Sequence, residues 1–154
     1  MTSRRDFLIA AAGAAGGIGL ALVSRPAQAT PAAMQDAIRK VTGGAPLRSG
    51  RVKLDVPPLI DNGNSVALAV TVESPMTPSD HVKAIHVVTE RNPLPNVLSV
   101  YLGPRSGRAR IATRVRLADT QNVIAIAQMS DGSYWTDSVH VVVTLSACLE
   151  EALV

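Results

Sequence analysis

The chain has 154 residues, 47% of them hydrophobic, and this length and apolar content predict one globular domain around a single hydrophobic core. A net charge of +3 and a calculated pI near 9.5 would suggest an anionic partner such as a nucleic acid. Two of these charges belong to the first 29 residues, which leaves +1 on the rest. With 3% aromatic residues there is also little to stack on bases, so we expect no nucleic-acid binding.

The N-terminus has the pattern of an export signal. Arg4-Arg5 precedes Phe7 and a glycine-rich apolar run from Ala10 to Val23, and Ala27-Gln28-Ala29 has the small-x-small form of a cleavage site. The run is too short to cross a bilayer core of about 30 Å comfortably. We therefore interpret residues 1–29 as a twin-arginine signal peptide, and we expect a mature protein that lies in the periplasm and outside the membrane.

A short amphipathic helix should open the mature chain. Thr30-Pro31 combines an N-cap residue with proline at the first helical position, and Gly43-Gly44 should end the helix. Between them the apolar residues recur at helical spacing: Ala33, Met34, Ala37, Ile38 and Val41.

From Arg51 onward the hydrophobic period changes to two, which predicts an all-β domain. About seven strands, with a hairpin at Asp131-Gly132 and a linker at Asn92-Pro93-Leu94-Pro95, favour an immunoglobulin-like β-sandwich over residues 30–145. Residues 146–154 would then form a C-terminal tail. The predicted strands are Val52 to Val56, Val66 to Glu73, Val82 to Thr89, Leu98 to Leu102, Arg108 to Leu117, Val123 to Met129 and Tyr134 to Leu145.

Two strands carry additional patterns. The strand from Arg108 to Leu117 alternates arginines with a mostly apolar set, so one face is cationic. That face is either a solvated edge or a stripe that binds anions or a partner. The last strand is apolar on its Val141 face and holds His140, Val142 and Thr144 on the other, so we expect it to be central or covered by a partner.

The single cysteine, Cys148, is the main candidate for chemistry. One cysteine in an exported chain cannot form an intramolecular disulfide, so it is an inert thiol, an intermolecular link or a reactive group. A copper site is disfavoured, because no His or Met follows Cys148 and because His81 and His86 have opposite strand parity. We therefore expect no metal. On a tail beyond a rigid sandwich, a thiol can enter several active sites in turn.

Several motifs in one order resemble the Y subunit of the Sox thiosulfate-oxidation system, from about Ala33 to Cys148. They are Asp61-Asn62-Gly63, Glu73-Ser74-Pro75-Met76-Thr77, Asn92-Pro93-Leu94-Pro95, Thr113-Arg114-Val115-Arg116-Leu117-Ala118, Ala127-Gln128-Met129-Ser130-Asp131-Gly132 and Val141-Val142-Val143-Thr144.

The resemblance implies an immunoglobulin-like fold, twin-arginine export and a heterodimer with a Z-type subunit. It also implies that Cys148 is the site of covalent sulfur attachment. A c-type cytochrome would join thiosulfate to this thiol, a sulfate thiohydrolase would release sulfate, and a sulfane dehydrogenase would oxidise the remaining sulfur. The protein would then be a carrier with no catalytic residues and no cofactor.

The tail differs from the family's usual Gly-Gly-Cys-Gly-Gly arm. Here Cys148 is followed by Leu149-Glu150-Glu151, which is bulkier and anionic. Three hypotheses follow: a thiosulfate carrier, a divergent carrier of another sulfur compound, and a sandwich that keeps partner binding without carrying sulfur.

Overall fold

The computed structural model describes residues 30–144 of the chain. It begins with helix α1, Pro31–Thr42, which is capped as the sequence predicts. The Thr30 hydroxyl accepts a hydrogen bond from the Ala33 N–H, and Gly43 adopts a left-handed conformation with φ of 63°. No helix in the described part of the chain is long and apolar enough to span a membrane.

Nine strands follow the helix within the described residues. Their bounds are β1 Leu47–Ser49, β2 Val52–Asp55, β3 Leu59–Ile60, β4 Val66–Val72, β5 Val82–Thr89, β6 Asn96–Tyr101, β7 Arg110–Val115, β8 Gln121–Met129 and β9 Tyr134–Val143. A short 3-10 helix at Pro104–Ser106 connects β6 to β7.

The strands form a sandwich of two sheets, which confirms the predicted fold class. The larger sheet has the order β1-β9-β8-β5-β6, with β3 also paired to β9, and the smaller sheet has the order β2-β4-β7. Neighbouring strands are antiparallel, except that β1 and β3 run parallel to β9.

The main core lies between the sheets and consists mostly of valine, leucine and isoleucine side chains. The alternating burial of β4 shows the origin of this core, since Val66, Leu68, Val70 and Val72 are buried and the residues between them are not.

A second, smaller core lies on the outer face of the larger sheet, where Met34 and Ile38 of α1 pack against Val88, Ile126 and Tyr134. Strand β5 is therefore buried on both faces over most of its length, since Val87 belongs to the main core and Val88 to the smaller one.

The structure adds two strands to the seven predicted, β1 and β3. Both are too short to show a period of two, and they form because β9 offers them a free edge. The predicted bounds of β5 agree with the structure at both ends. The strand predicted from Arg108 to Leu117 is shorter in the structure, where β7 covers Arg110–Val115. The predicted linker at 92–95 separates β5 from β6, and the hairpin at Asp131-Gly132 joins β8 to β9 with Gly132 at φ of 84°.

Candidate functional site at the end of the last strand

The end of β9 is held from both sides by hydrogen bonds. The Val143 N–H donates to the Thr120 hydroxyl at 3.0 Å, at the turn that precedes β8. On the other side the Val142 N–H donates to the Pro58 carbonyl at 2.8 Å, and the Thr144 N–H to the Ile60 carbonyl at 3.0 Å. The end of β9 is therefore fixed to the neighbouring segments on both of its sides.

The Thr144 side chain adds to this anchor. Its hydroxyl donates to the Asp61 carbonyl at 3.0 Å, which ties the end of β9 to the loop that follows β3. That loop is itself connected to the smaller sheet, because the Leu117 N–H donates to the Gly63 carbonyl at 2.8 Å.

A buried polar network supports the same end of the sandwich. The Asn92 side chain donates to the Arg116 carbonyl at 2.8 Å and accepts from the Ala118 N–H at 2.9 Å. Gln121, only 1% exposed, donates from its amide to Asn92 and to the Asp119 carbonyl, and accepts from the Arg91 N–H at 2.8 Å. These bonds fix the connections between the two sheets, because buried amides that lost them would be costly.

The predicted attachment site, Cys148, lies outside the described residues. It follows Thr144 by four positions, and four residues span at most about 14 Å.

The arginine face predicted from strand parity belongs to β7, which is an edge strand of the smaller sheet. Strand β7 pairs with β4 alone among the described residues, and Arg108, Arg110, Arg114 and Arg116 are exposed while Ala109, Val115 and Leu117 are buried. Thr113 alternates in step with the buried residue Val115, yet it is exposed, because no further described strand pairs with β7 on this side. The position supports the interpretation of a solvated, charged edge.

The three histidines have separate partners. His81 Nδ1 lies 3.1 Å from the Thr77 carbonyl, His86 Nδ1 lies 2.8 Å from the Ser99 hydroxyl, and His140 Nδ1 lies 3.0 Å from Asn122 Oδ1. Burial lowers the pKa of His86 below its ordinary value. Within residues 30–144 no group of three or more His, Cys, Asp or Glu side chains could hold a metal ion.

The expected position of the last strand is confirmed. β9 is flanked by β8 on one side and by β1 and β3 on the other, so it is central in its sheet. Its outward residues are covered unevenly, since Tyr134 is buried under α1 whereas Val142 remains 40% exposed.

Sequence reasoning missed the groups that fix this end of the molecule. Thr120 and Asn92 lie in polar connections between strands and Gln121 is the first residue of β8, and the long-range partners of these residues leave no periodic signal. Only the position of Asn92 before a proline marked it as a linker residue.

Comparison with known proteins identifies the family. A family model described as "Sulfur oxidation protein SoxY" matches residues 38–148, more than two thirds of the chain, and the match ends at Cys148. The chain belongs to the SoxY family. The structure of the sulfur carrier protein SoxY from Chlorobium limicola f. thiosulfatophilum superposes with a TM-score of 0.61 at 25% identity, and the match covers 74% of this chain and 98% of that one.

Superoxide reductases share the fold at lower identity. The enzyme from Ignicoccus hospitalis (neelaredoxin) has a TM-score of 0.56 at 17% identity, with 75% of this chain and 94% of that one covered. The enzyme from Nanoarchaeum equitans has a TM-score of 0.52 at 11% identity, over 62% of this chain and all of that one. At these identities the likeness extends to the sandwich alone. The search of curated proteins finds no match.

The N-terminus matches a second model, "Ubiquitinol-cytochrome C reductase Fe-S subunit TAT signal", over residues 1–26. This match confirms the predicted export by the twin-arginine pathway, which places the SoxY family member in the periplasm.

Proposed function

We propose that the protein carries sulfur intermediates covalently on Cys148 and presents them to the enzymes of sulfur oxidation. The observation that carries this proposal is the family match, which runs through the sandwich and reaches Cys148, the only thiol of the chain. The name of the Chlorobium protein, a sulfur carrier, supports the same role.

The proposed chemistry begins with oxidative conjugation. The Cys148 thiol and thiosulfate form one sulfur–sulfur bond, with loss of the thiol proton and of two electrons, which a c-type cytochrome accepts. Hydrolysis by a sulfate thiohydrolase then cleaves the bond between the sulfur of the terminal sulfonate and the neighbouring sulfane sulfur. Water supplies the fourth oxygen of the sulfate, and a persulfide remains on Cys148. A sulfane dehydrogenase would oxidise that sulfur.

The role of the sandwich in this scheme is to hold the carrier residue at a defined place. The hydrogen bonds that backbone N–H groups donate to Thr120, Pro58 and Ile60 fix β9 up to its last residues, so motion of the arm would begin beyond Thr144. The reactions take place in the partner enzymes, and the protein itself acts as a carrier without catalytic residues or a cofactor.

The organisation of the mature protein follows from the same proposal. Cleavage after Ala29 would leave the sandwich of residues 30–145 and the tail of residues 146–154. A heterodimer with a Z-type subunit would present this tail in the periplasm to the cytochrome, the thiohydrolase and the dehydrogenase in turn.

The composition of the tail favours a second candidate, a divergent SoxY-type protein that keeps partner binding but carries another sulfur compound or none. Leu149 and Glu150 stand where glycines would give a narrow and uncharged arm, and Glu151 adds a second carboxylate. The carboxylates disfavour the thiolate and repel an anionic substrate.

Intact-mass spectrometry of the periplasmic protein from thiosulfate-grown cells distinguishes the two candidates. A carrier shows an added mass on the peptide that contains Cys148, removed by reductant and absent from Cys148→Ser. A bare thiol under conditions that load a glycine-flanked SoxY would contradict the first candidate. Loading gained by the double variant Leu149→Gly, Glu150→Gly would then identify the tail as the cause.

A further inference from the structure

The outer face of the smaller sheet carries arginines without acidic partners. Arg110 and Arg114 pair with outward residues of β4, so both lie on the face away from the main core. Both are exposed, as is Arg116 directly after β7. No carboxylate of residues 30–144 forms an ion pair with any of the three. This face therefore offers unpaired cations to an anionic segment.

Arg114 is held at one end of the face. One terminal nitrogen of its guanidinium donates to the Ser65 carbonyl at 3.3 Å and to the Ser65 hydroxyl at 3.1 Å. The other guanidinium nitrogens have no acceptor among the described residues. A carboxylate can therefore bind to the open side of this guanidinium without displacing Ser65.

An open depression lies beside the held arginine on the same face. It has a volume of about 250 Å³, and Ala67, which is paired with Arg114, forms part of its wall. Its other walls include Ala69, Ala112 and Pro57, with Asp55 as its one charged residue. Because most of these side chains are small, the depression has room for one larger apolar side chain.

The last described residues lie close to the depression. Ile60 pairs with Val143 across about 4.8 Å, and Pro57 precedes Ile60 by three residues, which span at most about 11 Å. Leu149 follows Val143 by six residues, which span up to about 21 Å. The chain is therefore long enough for Leu149 to reach the depression.

The arginines at the same end of the face are also within reach. The Val143 N–H donates to the Thr120 hydroxyl, and Arg116 precedes Thr120 by four residues, at most about 14 Å. Glu150 follows Val143 by seven residues, which span up to about 25 Å. Residues 146–154 contain two acidic residues and no basic one, so their charge is complementary to the arginine face.

We propose that the tail of this chain binds across the outer face of the smaller sheet, with Leu149 in the depression and its two glutamates paired with Arg114 and Arg116. Because β9 tethers the tail beside this face, its effective concentration there is high and weak contacts suffice. Exposed ion pairs are individually weak and are screened by salt, so bound and unbound tails exchange. The bound tail holds Cys148 at the smaller sheet and limits access to its thiol.

The position and the mobility of the tail can both be measured by NMR on the purified protein. A nitroxide on Cys148 should broaden the amide signals of residues 67–69 and 112–114, with the reduced nitroxide as reference. In about 0.5 M NaCl this broadening should fall at least twofold. Without the label, ¹⁵N relaxation of residues 149–151 should indicate restricted motion at low salt and faster motion at high salt.

Removal of the charges on either side should release the tail. The double variant Arg114→Gln, Arg116→Gln should lower the broadening at least twofold at low salt and speed the motion of the tail. Glu150→Gln, Glu151→Gln should have the same effect from the other side of the contact.

A matched control lies at the far end of the same face. Arg108→Gln, Arg110→Gln removes the same charge but lies away from the end of β9, so it should behave like the parent. An amide spectrum with native dispersion shows that each variant is folded.

The proposal is overturned by a tail that moves freely at low salt, or by broadening that Arg114→Gln, Arg116→Gln leaves unchanged. Broadening centred on Leu59 and Val142 of the larger sheet would also overturn it.

A mixed sample tests whether the tail binds its own chain. ¹⁵N-labelled Cys148→Ser protein is combined with unlabelled protein that carries the nitroxide, and its signals should stay sharp. Broadening in this sample would show binding to a second copy and would contradict the proposal. None of these measurements involves sulfur loading, so the proposal and the carrier function can fail separately.

Discussion

At the scale of single residues, Thr89 has an uncompensated polar group. Its side chain is fully buried at the end of β5, and its hydroxyl has no hydrogen-bond partner in the described part of the chain. A buried hydroxyl without a partner costs about 1–3 kcal/mol. We predict that Thr89→Val, which keeps the β-branched shape, stabilises the protein by about 1 kcal/mol in urea unfolding. Thr89→Ser, which keeps the hydroxyl, should give no gain, and a Val variant less stable than the parent would show that the hydroxyl has a partner.

His86 links stability to pH. Burial lowers the pKa of His86 in the folded protein, whereas in the unfolded chain the ring has its ordinary pKa near 6.5. Between these two values the unfolded state binds more protons, so the free energy of unfolding falls as pH decreases through this window. We predict a loss of stability from about pH 7.5 to about pH 5 that is smaller in His86→Gln.

The measurement is urea unfolding of both proteins at the two pH values. Equal pH dependence in His86→Gln and in the parent would contradict the prediction.

At the scale of elements, β9 depends on a side chain from another segment. The Thr120 hydroxyl accepts the hydrogen bond of the Val143 N–H, and Val143 is 6% exposed. Thr120→Val leaves this buried amide unpaired, and we predict a destabilisation of about 1–3 kcal/mol together with faster hydrogen exchange at the end of β9. Thr120→Ser retains the hydroxyl and should stay near the parent in both measurements. If Val and Ser variants behave alike, the hydroxyl does not hold the strand.

The elements also show which parts of the structure are readable from sequence. Helix α1 was predictable because Thr30, Pro31 and Gly43 mark its ends by local chemistry. Strand β5 was predictable because Val82–Thr89 is rich in apolar and β-branched residues and is followed by a proline-containing linker. Strands β1 and β3 were not, since they exist only through pairing with β9, more than eighty positions later.

At the scale of the whole molecule, the candidate site also combines a feature that the local sequence marks with features that depend on distant segments. Cys148 could be predicted as the candidate attachment site because it is the only cysteine and because the preceding motifs resemble a family, and it stays a prediction. The groups that anchor the end of β9 were not identifiable, because Thr120 and Gln121 act through partners that only the fold brings close. Single-residue chemistry is thus visible in the sequence, whereas support from distant segments requires the structure.

The parallel pairing of β9 with β1 and β3 has a consequence for the order of folding. Leu47 pairs with Tyr134 and Leu59 with Val142, so the first strands of the larger sheet have no neighbour until the last strand has been synthesised. Such long-range pairing closes large loops before it gains contacts, which makes folding slow. The larger sheet can therefore close only when β9 is available to pair with β1 and β3.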